Sequence, residues 1–180
     1  MSRTEILIGG VGGQGVVLSG ILLGTAATLF EDKKAVQTQS YSSELRGGSA
    51  RAEVIISEKP VSDPQVRRPD ILIALAEEAL PKYIDKVKPK GLLVIDSDLV
   101  KGARPGDYEI LFVPATSIAD KEMGNIIVAN LIILGALIKK TGLLSVESME
   151  KAIEVSVPKM VTALNLNAFR RGLELPVQIH

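Results

Sequence analysis

The sequence has no cysteine and no tryptophan, and its single histidine is the last residue, His180. Without cysteine the chain can hold no disulfide framework, no thiolate zinc site and no iron–sulfur cluster through thiolates of its own. Without an internal histidine it offers no imidazole acid–base catalyst or metal ligand, and His180 itself reads as a frayed end. Aromatic residues amount to 3%, too few for a platform on which single-stranded nucleic acid would stack. An excess of one charge is missing too. Twenty-one basic residues face 21 acidic ones, so no global field draws in nucleic acid or an anionic membrane. The longest strongly apolar run, Ile126 to Ile138, is broken by Asn130 and is too short to cross a bilayer. The first residues, MSRTEILIGG, lack the basic-then-apolar pattern of a secretion signal. These absences set the expectation of a soluble, cytoplasmic protein with no nucleic-acid, membrane or metal partner.

What remains is an ordinary globular composition, 46% hydrophobic and 23% charged over 180 residues. That length fits one domain, residues 1–180, burying about 70% of the surface its unfolded chain would expose. Short apolar runs at Glu5–Ile8, Ala35–Tyr41, Arg51–Ser57, Asp70–Leu75, Leu92–Asp96 and Glu109–Val113 read as strands. Helical patterns cover Gln14 to about Phe30, Glu77–Val87, Asn125–Lys140, Ser145 to about Val155 and Pro158–Arg171, with an extended end from Leu173 to His180. Strands alternating with helices over the first two-thirds predict an α/β fold: a three-layer, mostly parallel sheet with helices on both faces and a helical C-terminal part. The helices at 14–30 and 126–138 are apolar nearly all round, which suits a core position. Their surplus is also compatible with a large subunit interface, or with self-association of the isolated chain.

Two segments carry the candidate chemistry. The first, GGVGGQGVVLSG from Gly9 to Gly20, has five glycines in its first seven residues. Gly10-Val11-Gly12-Gly13-Gln14-Gly15 satisfies G-x-G-x-x-G between a strand and a helix, the context of a dinucleotide fingerprint. Backbone N–H groups at such a helix start can cradle a phosphate. A nicotinamide site also wants an acid at the end of the second strand, where this chain has Gln39-Ser40-Tyr41. A Walker loop wants lysine where Val16 stands. An anion site, a tight turn without ligand, and a stand-alone NAD(P)-binding Rossmann-like dehydrogenase therefore stay open, the last disfavoured. The second segment is QSYSSELRGGSARAEVIIS, in which Arg46 precedes Gly47-Gly48. A rigid guanidinium beside permissive backbone suits a carboxylate or phosphate, and equally an internal ion pair with Glu44. Asp96-Ser97-Asp98 at a strand end could hold a cation, but reads better as a turn capped by Ser97 or Asp98. Asn125 and Asn130 read as a helix cap and a buried hydrogen-bonding residue. Arg67-Arg68 and Lys33-Lys34 read as solvated turns.

Taken together, GGVGGQGVV, the Arg46-Gly47-Gly48 segment, DILIALAEEAL, KGLLVIDSDLV and GNIIVANLIILGAL resemble one family, the gamma subunits of 2-oxoacid:ferredoxin oxidoreductases. The likeness covers residues 4–140 well and the remainder loosely. It departs at Tyr41-Ser42-Ser43-Glu44, where many relatives read tyrosine-glycine-proline-glutamate. The resemblance implies a non-redox subunit that supports oxidative decarboxylation of a 2-oxoacid, with 2-oxoglutarate favoured over pyruvate or ketoisovalerate, to acyl-coenzyme A. It implies that Gly10, Gly12, Gly13, Gln14, Gly15, Arg46, Gly47 and Gly48 line the coenzyme A side of the site, and that no residue of this chain is catalytic. Thiamine diphosphate and the iron–sulfur clusters would sit on partner subunits, and ferredoxin would be met only indirectly.

Overall fold

The computed structural model describes residues 3–42 and 48–176. Six strands form one sheet in the order β2-β3-β1-β4-β5-β6. They are β1 (Arg3–Val11), β2 (Lys34–Tyr41), β3 (Ser49–Ser57), β4 (Ile71–Ala74), β5 (Gly91–Asp96) and β6 (Tyr108–Val113). β1, β4, β5 and β6 pair in parallel, whereas β3 runs antiparallel to both β1 and β2. The sheet is therefore mixed, with β3 the one reversed strand. β4 and β5 are buried along their whole length, as expected of strands covered on both faces.

The described residues form six α-helices: α1 (Val16–Phe30), α2 (Ala79–Tyr83), α3 (Ala115–Met123), α4 (Ala129–Thr141), α5 (Val146–Ser156) and α6 (Lys159–Glu174). The two faces of the sheet are covered unequally. Alternate strand residues such as Ile6, Ile8, Val54, Ile73 and Val94 face a core shared with α1 and with α3 to α6. Their neighbours Leu7, Ile55, Leu72, Leu93 and Ile95 face only the short α2 and loop residues such as Val66, Val87 and Val100. The predicted helix over 77–87 is in fact α2 followed by a 3-10 turn, Ile84–Lys86. The extended end predicted from Leu173 begins later, because α6 runs on to Glu174.

Helix α4 is the hub of the larger layer, buried from Asn130 through Ile138. It crosses α6 at Gly135 and Gly172. A Cβ on Gly135 would lie 2.1 Å from the Phe169 carbonyl oxygen, and one on Gly172 would lie 2.1 Å from the Ile132 carbonyl oxygen. The backbones thus touch where neither residue has a side chain. In α1, Gly20 allows a close approach, with β-carbon space bounded by Gln37 and Ala52, while Gly24 has no described residue within 4 Å of a Cβ.

Lys33, read from sequence as part of a solvated turn, is a clamp instead. Its ammonium donates to Glu31 Oε2 at 2.7 Å and to the Leu143 carbonyl at 3.1 Å. Glu31 Oε1 accepts the Ser145 N–H at 2.6 Å, just ahead of α5, which Ser145 caps through Ser148 N–H. Burial pushes the Glu31 carboxyl up, but Lys33 and the Ser145 and Ser148 donors outweigh it and hold it below its ordinary value. A carboxyl lowered in the folded state stabilises fully above its unfolded pKa and loses that contribution as pH falls through the folded one. The stability difference between wild type and Glu31→Gln should accordingly be present near neutral pH and shrink on acidification below 4.5; urea titrations across that range measure it.

Candidate functional site

The parallel strands end on one side of the sheet, and the glycine loop leaves β1 there. Gly13 and Gly15 take positive φ, 90° and 72°, a region that costs other residues about 1–2 kcal/mol. Gly15 is the N-cap of α1 and supplies no side-chain cap. Gln14 braces the loop with both ends of its amide: Oε1 accepts the Val11 N–H at 2.8 Å and Nε2 donates to the Leu75 carbonyl at 2.8 Å. Gly10 is held by packing, since a Cβ there would lie 2.7 Å from Gln14 Oε1 and 2.9 Å from Val16. Among the described residues Gly12 has room for a Cβ, the nearest atom being the Gly48 carbonyl oxygen at 3.9 Å. Gln14→Ala should cost about 1–3 kcal/mol, because it strips two backbone groups of partners; the urea midpoint, read with its slope, checks this.

The two glycine segments meet. Gly12 N–H donates to the Gly48 carbonyl at 3.0 Å, so the residue after the Arg46-Gly47 pair sits against the loop. Arg46 and Gly47 themselves lie outside the described residues. The contact follows from topology: β3 pairs with β1 from Val11↔Ser49 to Arg3↔Ser57, which brings the start of β3 to the end of β1. The same topology removes the premise of a nicotinamide site. In a dinucleotide fold the second strand lies beside the first, whereas here β3 separates β2 from β1. The end of β2 is displaced from the loop by a whole strand.

Beyond the loop lies a cavity of about 180 Å³. Asp96, at the end of β5, is only 2% exposed but fully engaged. Its Oδ2 accepts from the Thr116 hydroxyl at 2.6 Å, and its Oδ1 from the Asp98 N–H at 3.1 Å. Burial raises its carboxyl above the usual value, against the pull of those donors, and Asp98 adds to the rise. Asp98 Oδ2 accepts from the Ser117 N–H at 2.6 Å. The Asp96-Ser97-Asp98 turn is thus capped by Asp96, while Asp98 closes the first turn of α3. Sequence reading missed α3, although Pro114 before it and a left-handed Gly124 after it are both boundary signals.

Asn125 caps the 3-10 turn Ile126–Val128 by accepting the Ile127 N–H at 3.1 Å. Asn130 is buried, as its polar character within an apolar helix predicted. Its Nδ2 donates to Ser19 Oγ at 3.1 Å and to the Gly15 carbonyl at 3.3 Å. That pair of acceptors fixes the amide's orientation and leaves Oδ1 buried without a partner. An orphaned acceptor of this kind costs about 1–3 kcal/mol.

Comparison with known proteins places this geometry. A family model described as pyruvate ferredoxin/flavodoxin oxidoreductase matches residues 5–175. The chain belongs to that family. Within it, a 2-oxoglutarate synthase subunit KorC from Methanocaldococcus jannaschii is 45% identical over 98% of this chain and 96% of its own length. The gamma subunit of a keto/oxoacid ferredoxin oxidoreductase from Geobacter sulfurreducens superposes with a TM-score of 0.87 at 41% identity, over 97% of this chain and 96% of that one. The chain is a gamma-type member, a subunit of a multi-subunit enzyme. A 2-oxoglutarate:ferredoxin oxidoreductase from Magnetococcus marinus, solved with 2-oxoglutarate, coenzyme A and succinyl-CoA, shares the fold at a TM-score of 0.83 and 24% identity; the match covers 96% of this chain and 31% of that longer one. None of these comparisons supports a stand-alone dehydrogenase. Among the described residues no helix is long and apolar enough to cross a membrane.

Proposed function

We propose that this chain is the gamma subunit of a cytoplasmic 2-oxoglutarate:ferredoxin oxidoreductase, acting as one domain that lines the coenzyme A side of the shared site. The observation that carries the reading is the hydrogen bond from Gly12 N–H to the Gly48 carbonyl. It joins the two segments marked by family likeness at the edge of the sheet where open α/β folds bind ligands. The start of α1, where no described residue lies within 4 Å of a Cβ built on Gly13, suits an anionic group. Gly10, Gly12, Gly13, Gln14 and Gly15 shape that cradle and Gly48 borders it; Arg46 and Gly47, which lie outside the described residues, are assigned to the same ligand by family likeness alone. Bound coenzyme A supplies the thiol that accepts the acyl group. This chain's residues hold and orient the coenzyme.

Thiamine diphosphate and the iron–sulfur clusters belong, on this reading, to partner subunits, and a chain without cysteine fits that division. Recovery of the tagged chain from its native host tests the assignment. Expected are co-eluting thiamine-diphosphate-binding and iron–sulfur subunits whose 2-oxoglutarate oxidation reduces ferredoxin. A chain that elutes alone and binds NAD(H) saturably would contradict it.

A further inference from the structure

β2 is an edge of the sheet, with β3 on one side and no strand on the other among the described residues. Exposed edges are normally blunted by proline, a bulge, inward-pointing charge or brevity. None of these protects β2. It runs for 8 residues, KAVQTQSY, without proline and with its one charge on the first residue. Its register with β3 is unbroken from Lys34↔Ser57 to Tyr41↔Ala50. Just beyond it, Ser42 N–H donates to the Ser49 carbonyl at 2.9 Å, which fixes the alternation of the ladder. Val36, Thr38 and Ser40 turn their peptide groups to β3, and Ala35, Gln37, Gln39 and Tyr41 turn theirs outward.

That edge is complementary to itself. Antiparallel pairing of two copies about a twofold axis at Thr38 sets Ala35 opposite Tyr41 and Gln37 opposite Gln39. Every outward residue is then answered, with about eight hydrogen bonds in all. Tyr41, 62% exposed, would cover Ala35 of the copy. Lys34 would face Ser42, so no like charges oppose each other. The helix layer agrees. Gly20 lies against Gln37 and Ala52, so α1 sits over β2 and β3, and on its inner side Ser19 bonds Asn130 of α4. The opposite flank, turned past the β2 edge, carries Ile21, 40% exposed, and Gly24, with no described residue within 4 Å of a Cβ. Strands lie about 4.8 Å apart, so across the axis the two α1 helices would stand about 10 Å apart, the spacing of packed helices.

We infer that two copies of this chain pair β2 to β2, joining their sheets into one, and that the assembled enzyme carries the chain in such twofold pairs. The chain has no cysteine, so a single introduced thiol reports on its own neighbourhood. At the axis the two Thr38 residues form a non-hydrogen-bonded pair with Cα atoms about 4.5 Å apart, within the roughly 4.4–6.8 Å that a disulfide spans. Under mild oxidation Thr38→Cys should give a disulfide-linked dimer of this chain, both in the purified full-length protein and in the reconstituted enzyme. Met160→Cys, on α6 and 92% exposed in the wild-type side chain, should stay unlinked. Gln39→Pro removes an outward N–H and leaves the β3 ladder intact. It should shift the purified chain from dimer to monomer in sedimentation with its circular dichroism unchanged, and Ile21→Arg should do the same from the helix flank. A wild-type chain that sediments as a monomer at micromolar concentration would overturn the pairing. So would a dimer that survives both substitutions, or a Thr38→Cys enzyme in which the chain fails to link to its own copy.

Discussion

Gly135→Ala should cost the chain about 3 kcal/mol or more, a large share of the roughly 5–15 kcal/mol that holds a domain folded. Two effects oppose each other. Replacing glycine by alanine inside a helix ordinarily gains about 1 kcal/mol. Here the new Cβ would lie 2.1 Å from the Phe169 carbonyl oxygen and 2.9 Å from Gly172 Cα, both backbone atoms. No rotamer can relieve that contact, so α4 and α6 must separate and the surrounding core must open, the kind of overpacking whose cost exceeds the propensity gain. Gly172→Ala meets the Ile132 carbonyl at 2.1 Å and should cost about as much. Because both substitutions part the same pair of helices, the double variant should lose less than their sum. Gly24→Ala, with no neighbour within 4 Å, should instead gain about 0.5–1 kcal/mol. Urea denaturation of the four variants measures all of this. Equal effects at positions 24 and 135 would mean that the crossing is looser than described.

The second large effect belongs to the loop. Gly15→Ala forces a side chain into φ 72°, about 1–2 kcal/mol of backbone strain. It also places a Cβ 2.4 Å from Asn130 Nδ2, displacing a buried amide from two hydrogen bonds worth about 1 kcal/mol each. A loss of roughly 2–4 kcal/mol should lower Tm by roughly 5–15 °C for a chain of this size. Gly12→Ala separates packing from ligand binding. Its backbone is unstrained and its space is open, so the fold should survive within about 0.5 kcal/mol. A raised KM for coenzyme A in the assembled complex would then place Gly12 at the ligand. An unchanged KM would return the loop to packing alone.

Much of this was legible in the residues. The strands appeared where apolar runs of four to eight residues stood between turn signals, because β4 and β5 are buried on both faces and admit little else. Asn125 declared itself as a cap by type and position. The order of the strands was not legible. Nothing local in SARAEVIIS says that β3 turns back to lie between β2 and β1, yet that reversal joins Gly12 to Gly48 and separates the end of β2 from the loop. Helix α3 was hidden for a related reason. Its first turn is secured by Asp96 and Asp98, about 20 residues earlier in sequence, and a cap supplied from a distant strand leaves no local signature. Lys33 beside Lys34 looked like a solvated pair, because its partners Glu31 and the Leu143 carbonyl come together only once α1 has docked. For Asn130, polarity within an apolar helix predicted burial, but an orphaned oxygen can be seen only when every neighbour is in place.

The central claim is that a chain without redox chemistry of its own completes the coenzyme A side of a larger enzyme. The most direct measurement is reconstitution of the purified partner subunits with and without this chain, following ferredoxin reduction by 2-oxoglutarate as coenzyme A is varied. The account predicts that coenzyme A-dependent turnover is lost or greatly reduced without the chain and returns when it is added back. Partner subunits that use coenzyme A fully in its absence would contradict it.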